Sequence, residues 1–232
     1  GEHVDLGNQK YLLSPQDLAG FALVPELLAA GVTSLKIEGR LKAPEYVASI
    51  TRSYRQAIDS AVSGQPVVFE PKQIEEMELT FSRGFSPGWL NGCDHKMLVP
   101  GTSSAKRGVV LGQICGISQE RIAVELTASV KRGHGVAFDS STDAASQGAR
   151  VYEVFYQGRS LTESVNHGVV ELTFGRDAID FDQIEIGSQV WKTDDPQVTQ
   201  RLRKSFQTNN LQRQQPISLE VIAHVGELLR VT

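Results

Sequence analysis

The sequence predicts an α/β unit followed by an all-β unit, and three observations predict it. Segments with helix, strand, loop and helix character follow one another over residues 14–62. Short strand-like segments separated by turn residues run from Arg107 to Lys192, the pattern of a small antiparallel β-barrel. An acid–proline pair at Asp195-Pro196 then opens another helix, which leads to an alternating apolar segment near Thr232.

Taken in order, Ser14-Pro15-Gln16-Asp17 places a capping hydroxyl before a proline and an acid in the first turn, so a helix is expected to start there and reach Gly31. Val32–Glu38 (VTSLKIE) reads as a short β-rich strand, and Gly39 to Ala43 as the loop after it. Pro44 opens a second helix whose apolar face carries Tyr46, Val47, Ile50, Tyr54, Ala57, Ile58, Ala61 and Val62. From Gly64 to Pro100 the text is looser, with Pro66, Pro71 and Pro87 and the aromatic run Phe81 to Trp89. The barrel strands are expected at Arg107–Gly116, Arg121–Leu126, Gly135–Phe138, Val151–Phe155, Val169–Phe174 and Gln189–Lys192. In the last helix Val198, Leu202 and Phe206 share a face; Ile217–Ala223, a Gly226-Glu227 turn and Leu228–Val231 then form a hairpin. An isolated hairpin is marginal in water, and position 1 is Gly, so an internal piece of a longer protein is expected.

Composition narrows the function classes. The net charge is −4 with a pI near 5.8, and acids outnumber bases in both halves, so nucleic-acid contact would need a local patch rather than a global basic field. Cys93 and Cys115 are too few for a disulfide framework or a Cys-rich metal site, which favours a reducing compartment, the cytoplasm or an organelle interior. No run of about 18 apolar residues is present, so no membrane partner is expected.

The strongest constellation is Lys36-Ile37-Glu38-Gly39-Arg40. On a strand Lys36 and Glu38 point to the same side, and at a barrel strand's C-terminal edge Glu38 would serve as acid, base or orienting carboxylate, with Lys36 and Arg40 as an anion clamp. The same three residues also read as a structural ion-pair network. Arg83 is a weaker companion. Gly84-Phe85-Ser86-Pro87-Gly88 matches a nucleophile elbow as a string, but Pro87 lacks the N–H that should serve the oxyanion. Cys93-Asp94-His95 offers a thiol and an imidazole but reads locally as a polar turn. Lys106-Arg107 and Lys131-Arg132 precede barrel strands and would contact RNA phosphates if their loops converge; otherwise they are solvated turns.

Ser34 to Arg40, Tyr46-Val47 and Tyr54-Arg55-Gln56-Ala57, with Ser14 to Leu18 before them and Phe81 to Phe85 after, resemble the collagenase-like peptidase family of unassigned catalytic type, the thirty-second in the peptidase classification. The resemblance covers residues 8–90 well and the remainder weakly. It implies a TIM-like (β/α) barrel whose last units fill residues 1–95, a small β-barrel over 100–192, and a helix with the start of a further α+β domain over 193–232. It also implies an iron–sulfur cluster held by a Cys-rich segment upstream, which Cys93 and Cys115 do not match, so no cofactor is expected within this chain; the cluster and prephenate are expectations for the longer parent. Members are known as peptidases and as factors that place a C5 hydroxyl on a pyrimidine of rRNA or tRNA. The expected function is therefore RNA hydroxylation by the parent, with an rRNA or tRNA partner. Proteolysis of a peptide substrate and a non-catalytic RNA- or protein-binding barrel remain the alternatives, and the piece alone is expected to be inactive.

Overall fold

The computed structural model describes residues 12–99, 101, 107–118, 120–139, 147–207 and 216–232. Its N-terminal part begins with β1 (Asp17–Leu18), a 3-10 turn at Phe21–Leu23 and α1 (Val24–Ala29). It continues through α2 (Pro44–Val62), α3 (Pro71–Thr80), β2 (Phe85–Ser86) and the single turn α4 (His95–Leu98). The expected helix start at Ser14-Pro15 is not used. Asp17, read as a first-turn acid, instead accepts the backbone N–H of Arg83 (2.8 Å) and pairs with its guanidinium (2.9 Å), which holds β1 in parallel register with β2, Asp17 opposite Phe85. A long-range contact outweighs the local capping signal. The C-terminal signal survives: Gly31 sits at φ +86°, past the last turn of α1, where a side chain would be strained.

The expected strand at Val32–Glu38 does not form. Residues 32–39 carry no regular structure, and Lys36 and Glu38 are exposed. A strand needs a hydrogen-bonded neighbour, and among the described residues the only parallel pairing is the two-residue β1–β2 ladder. Helix α3 falls where the sequence looked loose. Glu70 caps it, accepting the N3 backbone N–H while its own N–H donates to Gln73 Oε1 (2.9 Å), and Pro71 occupies the first helical position, where its missing N–H costs nothing.

The barrel follows. Its strands are β3 (Val109–Ile117), β4 (Ile122–Leu126), β5 (Gly135–Phe138), β6 (Gly148–Tyr156), β7 (Arg159–Leu161), β8 (Gly168–Phe174) and β9 (Gln189–Asp194). The hydrogen-bonded order β5-β9-β3-β4-β8-β6 returns to β5 through a β5–β6 pairing, closing six antiparallel strands, while β7 lies outside on β6. Alternation fills the interior: Ile122, Val124 and Leu126 of β4 and Val170 and Leu172 of β8 point inward with Leu111, Ile114, Val136, Phe138, Val154 and Val190. Helix α5 (Pro196–Gln207) starts as the sequence predicts and buries Val198 and Leu202 but leaves Phe206 exposed. The terminal hairpin is shorter than predicted: β10 (Val221–Ile222) pairs with β11 (Arg230–Val231), and both are exposed.

Charged contacts join the helices to the barrel. Glu76, nearly buried on α3, accepts from Arg52 of α2 (3.0 Å) and Arg201 of α5 (2.5 Å), and Glu45 of α2 pairs with Arg203 of α5 (2.6 Å). Lys192 of β9 is 1% exposed, and its ammonium pairs with Glu75 of α3 and donates to the Ser129 carbonyl (2.8 Å). Among the described residues no helix is long and apolar enough to cross a membrane.

Candidate functional site

The loop that carries the motif turns sharply at Gly39. A Cβ there would lie 2.6 Å from Val47 Cγ2, so the backbone packs against α2 at a distance only glycine permits. Glu38 Oε1 accepts the N–H of Arg40 (3.0 Å), and the N–H of Lys42 donates to the Gly39 carbonyl (3.0 Å). This turn leaves Lys36, Glu38 and Arg40 exposed on its outer side and carries Lys42 inward. The Lys42 ammonium stands 2.9 Å from the Phe81 ring centroid and 5.9 Å from that of Tyr46, a cation over aromatic faces. Arg83 shares the Phe81 ring at 5.9 Å and pairs with Asp17.

The result is a cluster of Asp17, Lys42, Tyr46, Phe81 and Arg83. Burial lowers the Lys42 pKa, Asp17 works against that, and Arg83 adds to it; burial together with Asp17 and Tyr54 raises the Tyr46 phenol. Lys42 is the residue that sequence reasoning passed over. Its one signal in the sequence is its place four residues before Tyr46, a spacing that looks like loop until the chain turns at Gly39.

The other candidates are dispersed. Arg107 lies against the Trp191 ring (5.0 Å) and faces Asp139 at 3.7 Å, and its N–H donates to the Ser82 carbonyl (3.1 Å), which ties it to the Arg83 segment. Arg132 pairs with Glu153. Lys131 lines a different cleft, beside His134 and Glu163. Lys106 lies outside the described residues. Ser86 is buried in β2, with its hydroxyl accepting the Gly88 N–H (3.2 Å). Cys93 Sγ lies 3.3 Å from His95 Nε2 on an exposed turn, and Asp94 caps α4 through the Met97 N–H rather than orienting the imidazole. Both cysteines are free, and among the described residues no three His, Cys, Asp or Glu side chains gather as metal ligands, so the residues here do not fit an iron–sulfur cluster.

The model of peptidase family U32 matches residues 1–99, the segment that holds this loop and cluster. The chain is similar to a Porphyromonas gingivalis protein named collagenase, 35% identical over 96 residues, 40% of this chain and 26% of that one. It is also similar to the tRNA hydroxylation protein P of Escherichia coli, 40% identical over 85 residues, 37% of this chain and 18% of the relative. A third relative, a 23S rRNA 5-hydroxycytidine synthase of Escherichia coli, is 29% identical over 136 residues, 55% of this chain and 20% of the relative. The matches span about a quarter or less of the length of these curated relatives.

Proposed function

We propose that this chain is part of a U32 protein that places a C5 hydroxyl on a pyrimidine of rRNA or tRNA, with the loop at Lys36–Lys42 facing the substrate. The observation that carries this reading is the charge balance of the loop and its support. Four cations, Lys36, Arg40, Lys42 and Arg83, stand there against two acids, Glu38 and Asp17, in a chain whose net charge is −4. The exposed Lys36 and Arg40, backed by Lys42 and Arg83 beneath the loop, suit a phosphodiester backbone, and the names of two relatives point to RNA.

In this reading Lys36 and Arg40 clamp an anionic group from the exposed side, Glu38 orients the substrate or exchanges a proton with it, and Lys42 and Arg83 fix the loop from beneath. In the longer protein the segment completes a TIM-like (β/α) barrel. The oxidising chemistry, with the iron–sulfur cluster and prephenate the family resemblance implies, belongs to the remainder of that protein, in the cytoplasm or an organelle interior.

The test is nucleoside mass spectrometry of rRNA and tRNA from cells lacking the full-length protein, complemented with wild type, Glu38→Ala or Lys42→Ala. Loss of one hydroxylated pyrimidine that wild type restores and both variants fail to restore is the expected result. An unchanged nucleoside profile in the deletion sinks the reading. Proteolysis is the second reading, favoured by the Cys93–His95 pair and the collagenase relative. It requires that purified full-length protein cleave gelatin and that Cys93→Ala abolish the cleavage.

A further inference from the structure

A second cleft, of about 470 Å³, opens where the U32 segment meets the barrel, lined on one side by Ser14, Gln16, Glu78, Ser82 and Arg83 and on the other by Arg107, Thr127 and Trp191. Two side-chain donors of these lining residues, Arg83 Nε and Trp191 Nε1, are buried and have no acceptor. A buried N–H without an acceptor is costly, and a ligand that brings oxygen atoms would satisfy both once the side chains covering them moved aside.

Arg107 is the movable wall. It lies over Trp191 at 5.0 Å, keeps 30% of its side chain exposed, and meets Asp139 only at 3.7 Å, beyond hydrogen-bond reach. Arg83 has one guanidinium nitrogen on Asp17, and its Nε is left over. The donors come from three separate places in the chain: the loop before β2, the turn before β3, and strand β9. A carboxylate presents two oxygens in one plane and suits a single guanidinium fork, whereas donors drawn from three separate segments around one cleft suit a tetrahedral oxyanion.

We propose that this junction cleft binds the phosphate group of a phosphate ester, held between Arg83 and Arg107 with the Trp191 indole N–H as third donor. On binding, Arg107 turns from Asp139 to the ligand and uncovers Trp191. Glu78 is the one carboxylate among the lining residues, so it opposes the ligand and lowers its affinity. The site draws on barrel residues beyond the family match and stands independently of the hydroxylation reading.

The chain has two tryptophans, and Trp89→Phe leaves Trp191 as the only fluorophore of that kind. In that background we expect a saturable change in Trp191 emission with a nucleoside monophosphate or a short single-stranded RNA, and none with malonate at the same ionic strength. Arg107→Gln should weaken binding about tenfold or more, and Glu78→Gln should tighten it several-fold; a role in folding alone predicts no tightening. Saturation by the monophosphate assigns a free nucleotide as the source. Saturation only by RNA, with a steep salt dependence, assigns the backbone. No saturable response, an equal response to malonate, or an unchanged affinity in Arg107→Gln overturns the proposal.

Discussion

Lys192→Met tests how the N-terminal helices and the barrel are held together. The side chain is 1% exposed, and its ammonium serves Glu75 on α3 and the Ser129 carbonyl (2.8 Å) from within β9. Methionine keeps much of the aliphatic length and removes only the charge and its donors. Removing one partner of a buried pair usually costs about 3–5 kcal/mol, but the Glu75 side chain is 27% exposed and water can reach it once freed. With the lost charged hydrogen bond to Ser129, the expected destabilisation is about 2–4 kcal/mol, roughly 4–16 °C in Tm for a chain of this size. Urea and thermal unfolding of the purified chain read it. The double variant Lys192→Met with Glu75→Leu should recover part of the loss, because no orphaned charge remains. Stability within about 0.5 kcal/mol of wild type in the single variant would refute the idea that this buried lysine keys the barrel to the helices.

Burial lowers the His134 pKa, opposed by Asp195 at 3.5 Å and reinforced by Lys192, with Glu75 and Asp194 also opposing. The unfolded chain therefore takes up the proton first, so stability is full above about pH 6.5 and declines as pH falls from there towards the folded value. Urea midpoints across that range should show the decline, and His134→Gln should flatten it; an unchanged slope in the variant contradicts the assignment. Gly39→Ala should place its methyl group 2.6 Å from Val47 Cγ2, destabilise the chain by about 1–3 kcal/mol and displace the loop that carries Glu38. Pairing it with Val47→Ala should restore most of that loss, and failure to do so would locate the strain elsewhere.

The readable parts of this protein were those whose partners lie close in sequence. Helix α2 announces itself through Pro44 and an apolar face, α5 through Asp195-Pro196, and the barrel strands through alternation and turns, because capping and side-chain periodicity act over a few residues. Helix α3 is equally local, through Glu70-Pro71 and Gln73, but a proline marks a loop as readily as a first helical position. What tertiary structure alone decided depended on distant groups. Asp17 abandoned a helix start for Arg83, sixty-six residues away, and Val32–Glu38 stayed without a strand because a strand exists only against a neighbour. The same holds for the candidate sites. Composition and spacing picked out Lys36, Glu38, Arg40 and Arg83 one by one, but a turn at Gly39 chose Lys42 as the cation beneath the loop, and closure of the barrel brought Arg107 and Trp191 to the cleft shared with Arg83. Sequence fixes which side chains are available and how each short segment repeats; their convergence is a three-dimensional fact that no local pattern encodes.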